Sequence, residues 1–212
     1  MKVVKNKYKC VICKQENEYL DYMSFYSRGH ADFDGKPVNS MAGIGAAIME
    51  CPNCHYANYK IDEAIEKRFY KNPDLWNLSD FQNIIKNYQN PLRKILLVAL
   101  QYEHNLDHIR AYKTYILASW VADEKEASEF RRKALSIFIN KVLPGRNDDY
   151  LQIADMLRQE KEFDIAKCFT TAVKELTDRD HEKQLEAINA EENFIINKDS
   201  TRHNLGEIFK KE

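Results

Sequence analysis

Two identical cysteine pairs, Cys10-Val11-Ile12-Cys13 and Cys51-Pro52-Asn53-Cys54, constrain this chain more than any other feature. A two-residue spacer places both sulfurs of a pair on one tight turn, and two such turns close a tetrahedral four-sulfur cage around a metal ion. A structural zinc ion is the expected occupant, with Cys10, Cys13, Cys51 and Cys54 as ligands; iron, a redox dithiol or unligated thiols are the alternatives. Four thiolates leave no coordination position for water or substrate, so the set implies construction rather than metal-assisted hydrolysis. The 37 residues between Cys13 and Cys51 exceed the loop of a compact zinc ribbon. Loop closure costs only about 0.6 kcal/mol per doubling of length, so the separation does not forbid the site.

An odd total of five cysteines suits a metal site in a reducing cytoplasm better than a secreted disulfide framework. The fifth, Cys168, falls in a helical pattern and reads as a small buried hydrophobe. With 32 basic and 33 acidic side chains the formal charge is −1, which gives no global attraction to nucleic acid or to an anionic membrane. The longest apolar cluster, Ile95 to Leu100, is far too short to span a bilayer. A soluble cytoplasmic protein is therefore expected.

The first 60 residues read as short strands and loops. Lys5, Lys7 and Lys9 alternate with Asn6, Tyr8 and Cys10, predicting an edge strand that enters the first cysteine turn, with its partner strand near Ile44 to Glu50. Between the cysteine pairs, residues 27 to 37 carry glycines, aspartates and a proline, the marks of a polar loop. A segment this poor in large aliphatics gains most from a metal staple.

From residue 61 the period changes. Ile61, Ala64, Ile65, Arg68 and Phe69 fall on one helical stripe, Ser79 with Gln82 resembles a capping box, and Asn90-Pro91 is placed to open the next helix. Helices are predicted at 107–121, 124–142, 147–160, 162–177 and 180–197, with Pro144-Gly145 and Lys161-Glu162 as breaks. Ala99 and Tyr102, then Ala111, Tyr115 and Ala118, sit at the small and aromatic offsets of a tetratricopeptide (TPR) hairpin. Ala154, Leu157, Ala166, Thr170 and Val173 make a weaker second copy. The predicted fold is mainly α: a small β-containing, zinc-ribbon-like module at 1–60, a TPR-like antiparallel helical array at 61–198, and a tail at 199–212.

The segment Cys51-Pro52-Asn53-Cys54-His55-Tyr56-Ala57 resembles the CPxCGYA element of a bacterial family catalogued as domain of unknown function 2225. The amino-terminal CxxC, the polar loop with aspartates, the Ala111-to-Ala118 hairpin, Trp120 and the Arg131-to-Leu135 segment are also similar to it. His55 stands where that family usually has glycine. The resemblance implies a zinc module joined to TPR-like helices, and no activity.

Other candidates weigh less. His30, Asp32 and Asp34, with Arg28, could form a polar catalytic site beside the metal, the basis of an alternative hydrolase or transferase reading; the plainer reading is a solvated loop. His104 and His108 flank a predicted turn at Asn105 to Asp107 and do not share a helix face. Lys2, Lys5, Lys7 and Lys9 form a basic cluster, but eight basic against six acidic residues through position 60 read more simply as a solvated edge, with nucleic-acid binding by the zinc module as a further alternative. The functional expectation is a non-enzymatic adaptor whose helical array receives a protein or peptide, with Tyr102, Tyr112, Tyr115 and Trp120 as nearby aromatic surface or, more simply, core.

Overall fold

The computed structural model describes residues 3–22, 30–37, 43–65, 78–142, 149–178 and 180–209. It is mainly helical, with a small strand-containing amino-terminal part carrying four of the five cysteines, followed by an antiparallel helical array. Lys2, Arg28, Arg68, Phe69 and the Pro144-Gly145 break lie outside the described residues. Two compact units result: residues 1–26 with 40–137, and residues 27–39 with 138–212. Residues 199–209 belong to the second of these units.

In the first unit, β1 (Val3–Lys9) pairs antiparallel with β2 (Glu16–Tyr22), and β3 (Met49–Glu50) with β4 (Ala57–Asn58). This corrects the expected pairing of the first strand with the Ile44–Glu50 segment. Each cysteine turn is instead the tip of its own hairpin. Lys7 lies opposite Glu18 and Lys9 opposite Glu16, so the lysine face of β1 is answered by carboxylates across the ladder. Residues 61–65 form turns rather than the start of a helix.

The helices of this unit are α1 (Ser79–Asn87), α2 (Leu92–His104), α3 (His108–Val121) and α4 (Glu124–Ile137). The expected capping box is not formed: Leu78 occupies the cap of α1 and no side chain caps it. Pro91, rather than Asn90, holds the cap position of α2, also without a side-chain bond. Asp107 does cap α3, its carboxylate accepting from the Arg110 amide at 3.1 Å. Leu106 takes a left-handed φ of 60° in the intervening turn. The TPR positions Ala99, Tyr102, Ala111, Tyr115 and Ala118 are all buried. Small residues bring α2 and α3 close and the two rings fill the space beside them.

Residues Ile95 to Tyr102 are buried without interruption, so α2 is apolar nearly all round. The reason is that it has two partners, neighbouring helices and the second cysteine hairpin. Gln101 Nε2 donates to the Ala57 carbonyl at 3.0 Å. Glu50 accepts from Arg93 Nε and meets His55 Nδ1 at 2.8 Å. Gly45, with φ of +75°, lies so close that an added Cβ would stand 2.9 Å from Pro91 Cβ.

The second unit begins with a π-helical stretch, Phe138–Val142, and contains α5 (Tyr150–Gln159), α6 (Phe163–Leu176), α7 (Glu182–Ile196) and the one-turn α8 (Leu205–Ile208). Ala154, Leu157, Ala166, Thr170 and Val173 are buried between its helices, as the second hairpin pattern requires. Phe138, Tyr150 and Phe169 form a tilted aromatic cluster. Cys168 departs from expectation: it is exposed on α6, its thiol turned to the Asp164 carbonyl at 3.4 Å.

Candidate metal centre

The two cysteine turns have the same backbone construction. The amide of Cys10 donates to the Gln15 carbonyl at 2.9 Å, and that of Lys14 returns to the Cys10 carbonyl at 2.9 Å. The amide of Cys51 donates to the Tyr56 carbonyl at 2.8 Å, and that of His55 returns to the Cys51 carbonyl at 2.9 Å. Lys14 and His55, each directly after the second cysteine, take φ values of 63° and 59°. His55 thus adopts the left-handed conformation that glycine accepts more readily, and its contact with Glu50 offsets part of the cost.

The two turns bring all four sulfurs together, every pair lying within 4.8 Å. Cys10 Sγ is 3.7 Å from Cys54 Sγ, and Cys13 Sγ is 3.6 Å from Cys51 Sγ. A metal–sulfur bond of about 2.3 Å places tetrahedral ligands about 3.8 Å apart, whereas a disulfide joins sulfurs at about 2.0 Å. The spacing is that of ligands around one ion, and all four thiols are free.

The electrostatics point the same way. The hydrogen bond from Cys54 pulls Cys10 down to about 5. That same bond, with burial, pushes Cys54 far above the ordinary thiol range, and burial raises Cys13. Crowded thiols suppress one another's ionisation, and a cation that replaces their protons removes the conflict. Around Cys51 stand donors that suit a metal-bound thiolate. Asn17 Nδ2 lies 4.0 Å from its sulfur. Tyr19 is buried with a hydroxyl that has no oxygen or nitrogen partner, and the neighbouring Cys51 charge, second to burial, raises its phenol. A donor left without a partner beside Cys51 suits an acceptor thiolate there.

The motif residues after the second pair have structural employment. The fully buried Tyr56 donates its hydroxyl to the Glu63 carbonyl at 2.8 Å and accepts from the Ile65 amide at 3.0 Å, fixing the 61–65 turns. The Val11 amide donates to the Ile61 carbonyl at 3.0 Å, so those turns also hold the first cysteine pair.

The polar loop has a different place, in the second unit. Asp34 is fully buried, accepts from Arg202 Nη2 at 2.9 Å and from the Lys36 amide at 3.0 Å, and its carbonyl accepts from Gln152. Asp32 forms a β-bridge with Asn204, whose Nδ2 donates to the Asp32 carboxylate at 3.0 Å. His30 is exposed and meets the edge of Phe209. The two carboxylates serve as acceptors that pin the carboxy-terminal segment, both facing Arg202. Sequence patterning missed this partner segment, because Arg202, His203 and Asn204 look like an ordinary polar tail. His104 and His108 are separated by the turn as expected, and the His104 ring stacks on Phe81.

Tyr102, Tyr112 and Tyr115 are core residues, while Trp120 is half-buried. One accessible concavity among the helices of the first unit is a cleft of about 530 Å³ whose lining includes Ile84, Tyr88, Leu100, Glu103, Phe130 and Lys133. Glu103 bridges its floor, accepting from the Tyr115 hydroxyl at 3.0 Å and pairing with Lys133 at 2.7 Å.

The fold and the site together define a class: a four-cysteine metal-site module joined to TPR-like helical hairpins, with no described helix long and apolar enough to cross a membrane. Comparison of the chain with protein-family models, curated proteins and solved structures finds no match.

Proposed function

We propose that the protein is a zinc-stabilised, TPR-like adaptor of the kind implied by its resemblance to the domain-of-unknown-function 2225 family. It works in the cytoplasm and presents the α1–α4 cleft to a protein or peptide. Zinc is the preferred ion because four thiolates at tetrahedral spacing suit its coordination and it needs no redox partner. Its role is to hold the hairpins that pack against α2, leaving the helices to do the recognition. The observation that carries the reading is the open cleft, with aromatic and aliphatic walls crossed by one Glu103–Lys133 pair. That mixture is suited to a side-chain anchor with polar groups at its rim.

The test is affinity capture with the wild-type protein, a Cys51→Ser/Cys54→Ser variant, and an Asn83→Trp/Glu129→Arg variant that fills and recharges the cleft without touching its buried wall. Metal analysis accompanies each sample. The reading expects about one zinc per wild-type chain and a partner lost from the cleft variant while its metal is retained. Identical partners on wild-type and cleft variant sink the adaptor assignment, and absence of metal from the wild type sinks the zinc assignment.

A further inference from the structure

In the second unit α7 carries a half-buried apolar stripe along a groove that it forms with α8. Leu185, Ala190 and Phe194 are half-buried along it, and together with Ile208 of α8 they form the apolar floor of a groove of about 580 Å³. The groove follows α7 from Glu182 to Asn193, about three helical turns. Its floor is held rigid from behind: the Phe194 ring stacks on His203 with centroids 3.7 Å apart, and the Arg158 guanidinium lies over it at 5.3 Å.

The rim carries charge of one sign. Glu182, Glu186 and Glu207 line the groove, and among the described residues no lysine, arginine or histidine does. None of the three forms an ion pair among the described residues, whereas Glu192, on the same helix, is paired with Lys174 at 2.5 Å. Glu182 and Glu186 are four residues apart on one face, a like-charge arrangement that disfavours a helix. Polar asparagines at 189 and 193 complete the rim without neutralising it.

The geometry points to a second docking site on this chain: the α7–α8 groove receives an amphipathic helix whose apolar stripe is flanked by lysine or arginine. The floor repeats at helical spacing, so ridges of a helix fit it better than an extended strand does. The glutamates, unpaired among the described residues, select a cationic flank and speed its approach. A second copy of this chain is a poor occupant, since a two-fold contact through the groove sets glutamates against glutamates. Nucleic acid and anionic lipid are repelled for the same reason. This site is separate from the α1–α4 cleft and stands whether or not that cleft binds anything.

Fluorescence anisotropy at low ionic strength decides it, with a labelled three-turn model peptide of leucine at i, i+3, i+4 spacing flanked by lysine. Two control peptides have the same composition in shuffled order and glutamate in place of lysine. The patterned lysine peptide is expected to bind at least about tenfold tighter than either control. The Glu182→Lys/Glu186→Lys/Glu207→Lys variant, and separately Leu185→Asp, should weaken it by about tenfold or more. Glu175→Lys, the same charge change on the exposed face of α6, should leave it unchanged. Circular dichroism verifies folding, and the triple surface variant keeps the test intact if Leu185→Asp does not fold. Equal binding of the shuffled peptide, binding that survives the triple variant, no binding at all, or self-association abolished by the triple variant each overturns the assignment.

Discussion

Arg158 Nε donates to Glu191 Oε1 at 2.8 Å, and both side chains are completely buried. The same guanidinium pairs with Asp155 one turn earlier on α5 and donates from Nη1 to the carbonyls of Asp199 and Thr201 at 2.6 and 2.7 Å. One cation thus ties α5, α7 and the carboxy-terminal segment together. That segment in turn supplies Arg202 to Asp34 and Asn204 to Asp32. Replacing Arg158 strands two buried carboxylates and two carbonyls at once. Arg158→Met should cost about 3–5 kcal/mol by urea unfolding, the usual penalty for removing one partner of a buried pair. Arg158→Lys should recover only part of it, because a point ammonium cannot reproduce the guanidinium fork. Full stability in Arg158→Met would show that the network is dispensable.

The network holds two carboxylates against one cation. Burial, then the neighbouring Asp155 charge, lifts Glu191 to about 8, and burial lifts Asp155 to about 6. Asp34 adds a negative charge facing Asp155, and Asp199 does the same for Glu191. A carboxyl raised in the folded state binds its proton more tightly there than in the unfolded chain. Stability from it is therefore complete below the unfolded carboxyl range of about 4 and is lost as pH rises toward 8. Glu191→Gln mimics the protonated form, so its stability relative to wild type should increase between pH 5 and 8. Comparing the two proteins at each pH cancels the metal site, whose own proton competition has the opposite sign. A difference that stays constant across this range would assign the shared proton elsewhere.

The four-cysteine cluster and the exposed Cys168 make a counting experiment possible. With metal bound, one thiol per chain, Cys168, should react promptly with a disulfide reagent, and after chelation all five should react. Metal removal should also lower the thermal midpoint of the first unit, since the ion substitutes for a core that its short hairpins lack. Five fast thiols in metal-replete protein would mean the cluster does not hold the ion.

How far the sequence carried these conclusions depends on the range of the interactions. The four cysteines were legible because residue type and local spacing encode their chemistry. The long helices from α1 to α7 were legible to within a few residues because apolar period and turn residues are local too, as at Asp107 and the Asn105–Asp107 turn, whereas the stripe begun at Ile61 and Ala64 falls on turns. β2 escaped because Glu16 to Tyr22 is mostly polar, with Tyr19 buried and Leu20 exposed, and its alternation is visible only against β1. Arg158 escaped for a stronger reason. An arginine in a helix reads as surface, and only Glu191, Asp199 and Thr201, far along the chain, make its burial tolerable. The loop at 30–37 read as solvated because its partners at 202–204 carry no pattern of their own.

The docking of the second cysteine hairpin on α2 is open to a small and specific perturbation. Gly45 combines a φ of +75° with a position where a Cβ would meet Pro91 Cβ at 2.9 Å and Ile95 Cδ1 at 3.1 Å. Gly45→Ala therefore incurs left-handed strain of about 1–2 kcal/mol and a collision with a proline ring that cannot rotate away. The expected result is a loss of about 2–4 kcal/mol in chemical unfolding, together with faster metal release to a chelator, because Glu50 and Ala57 of the same hairpin are anchored to Arg93 and Gln101. The cysteine ligands themselves are unchanged in this variant. Faster release would therefore trace metal retention to the packing of the hairpin on α2, whereas wild-type release kinetics in a destabilised Gly45→Ala protein would show that the cage holds its ion independently of the helix beneath it.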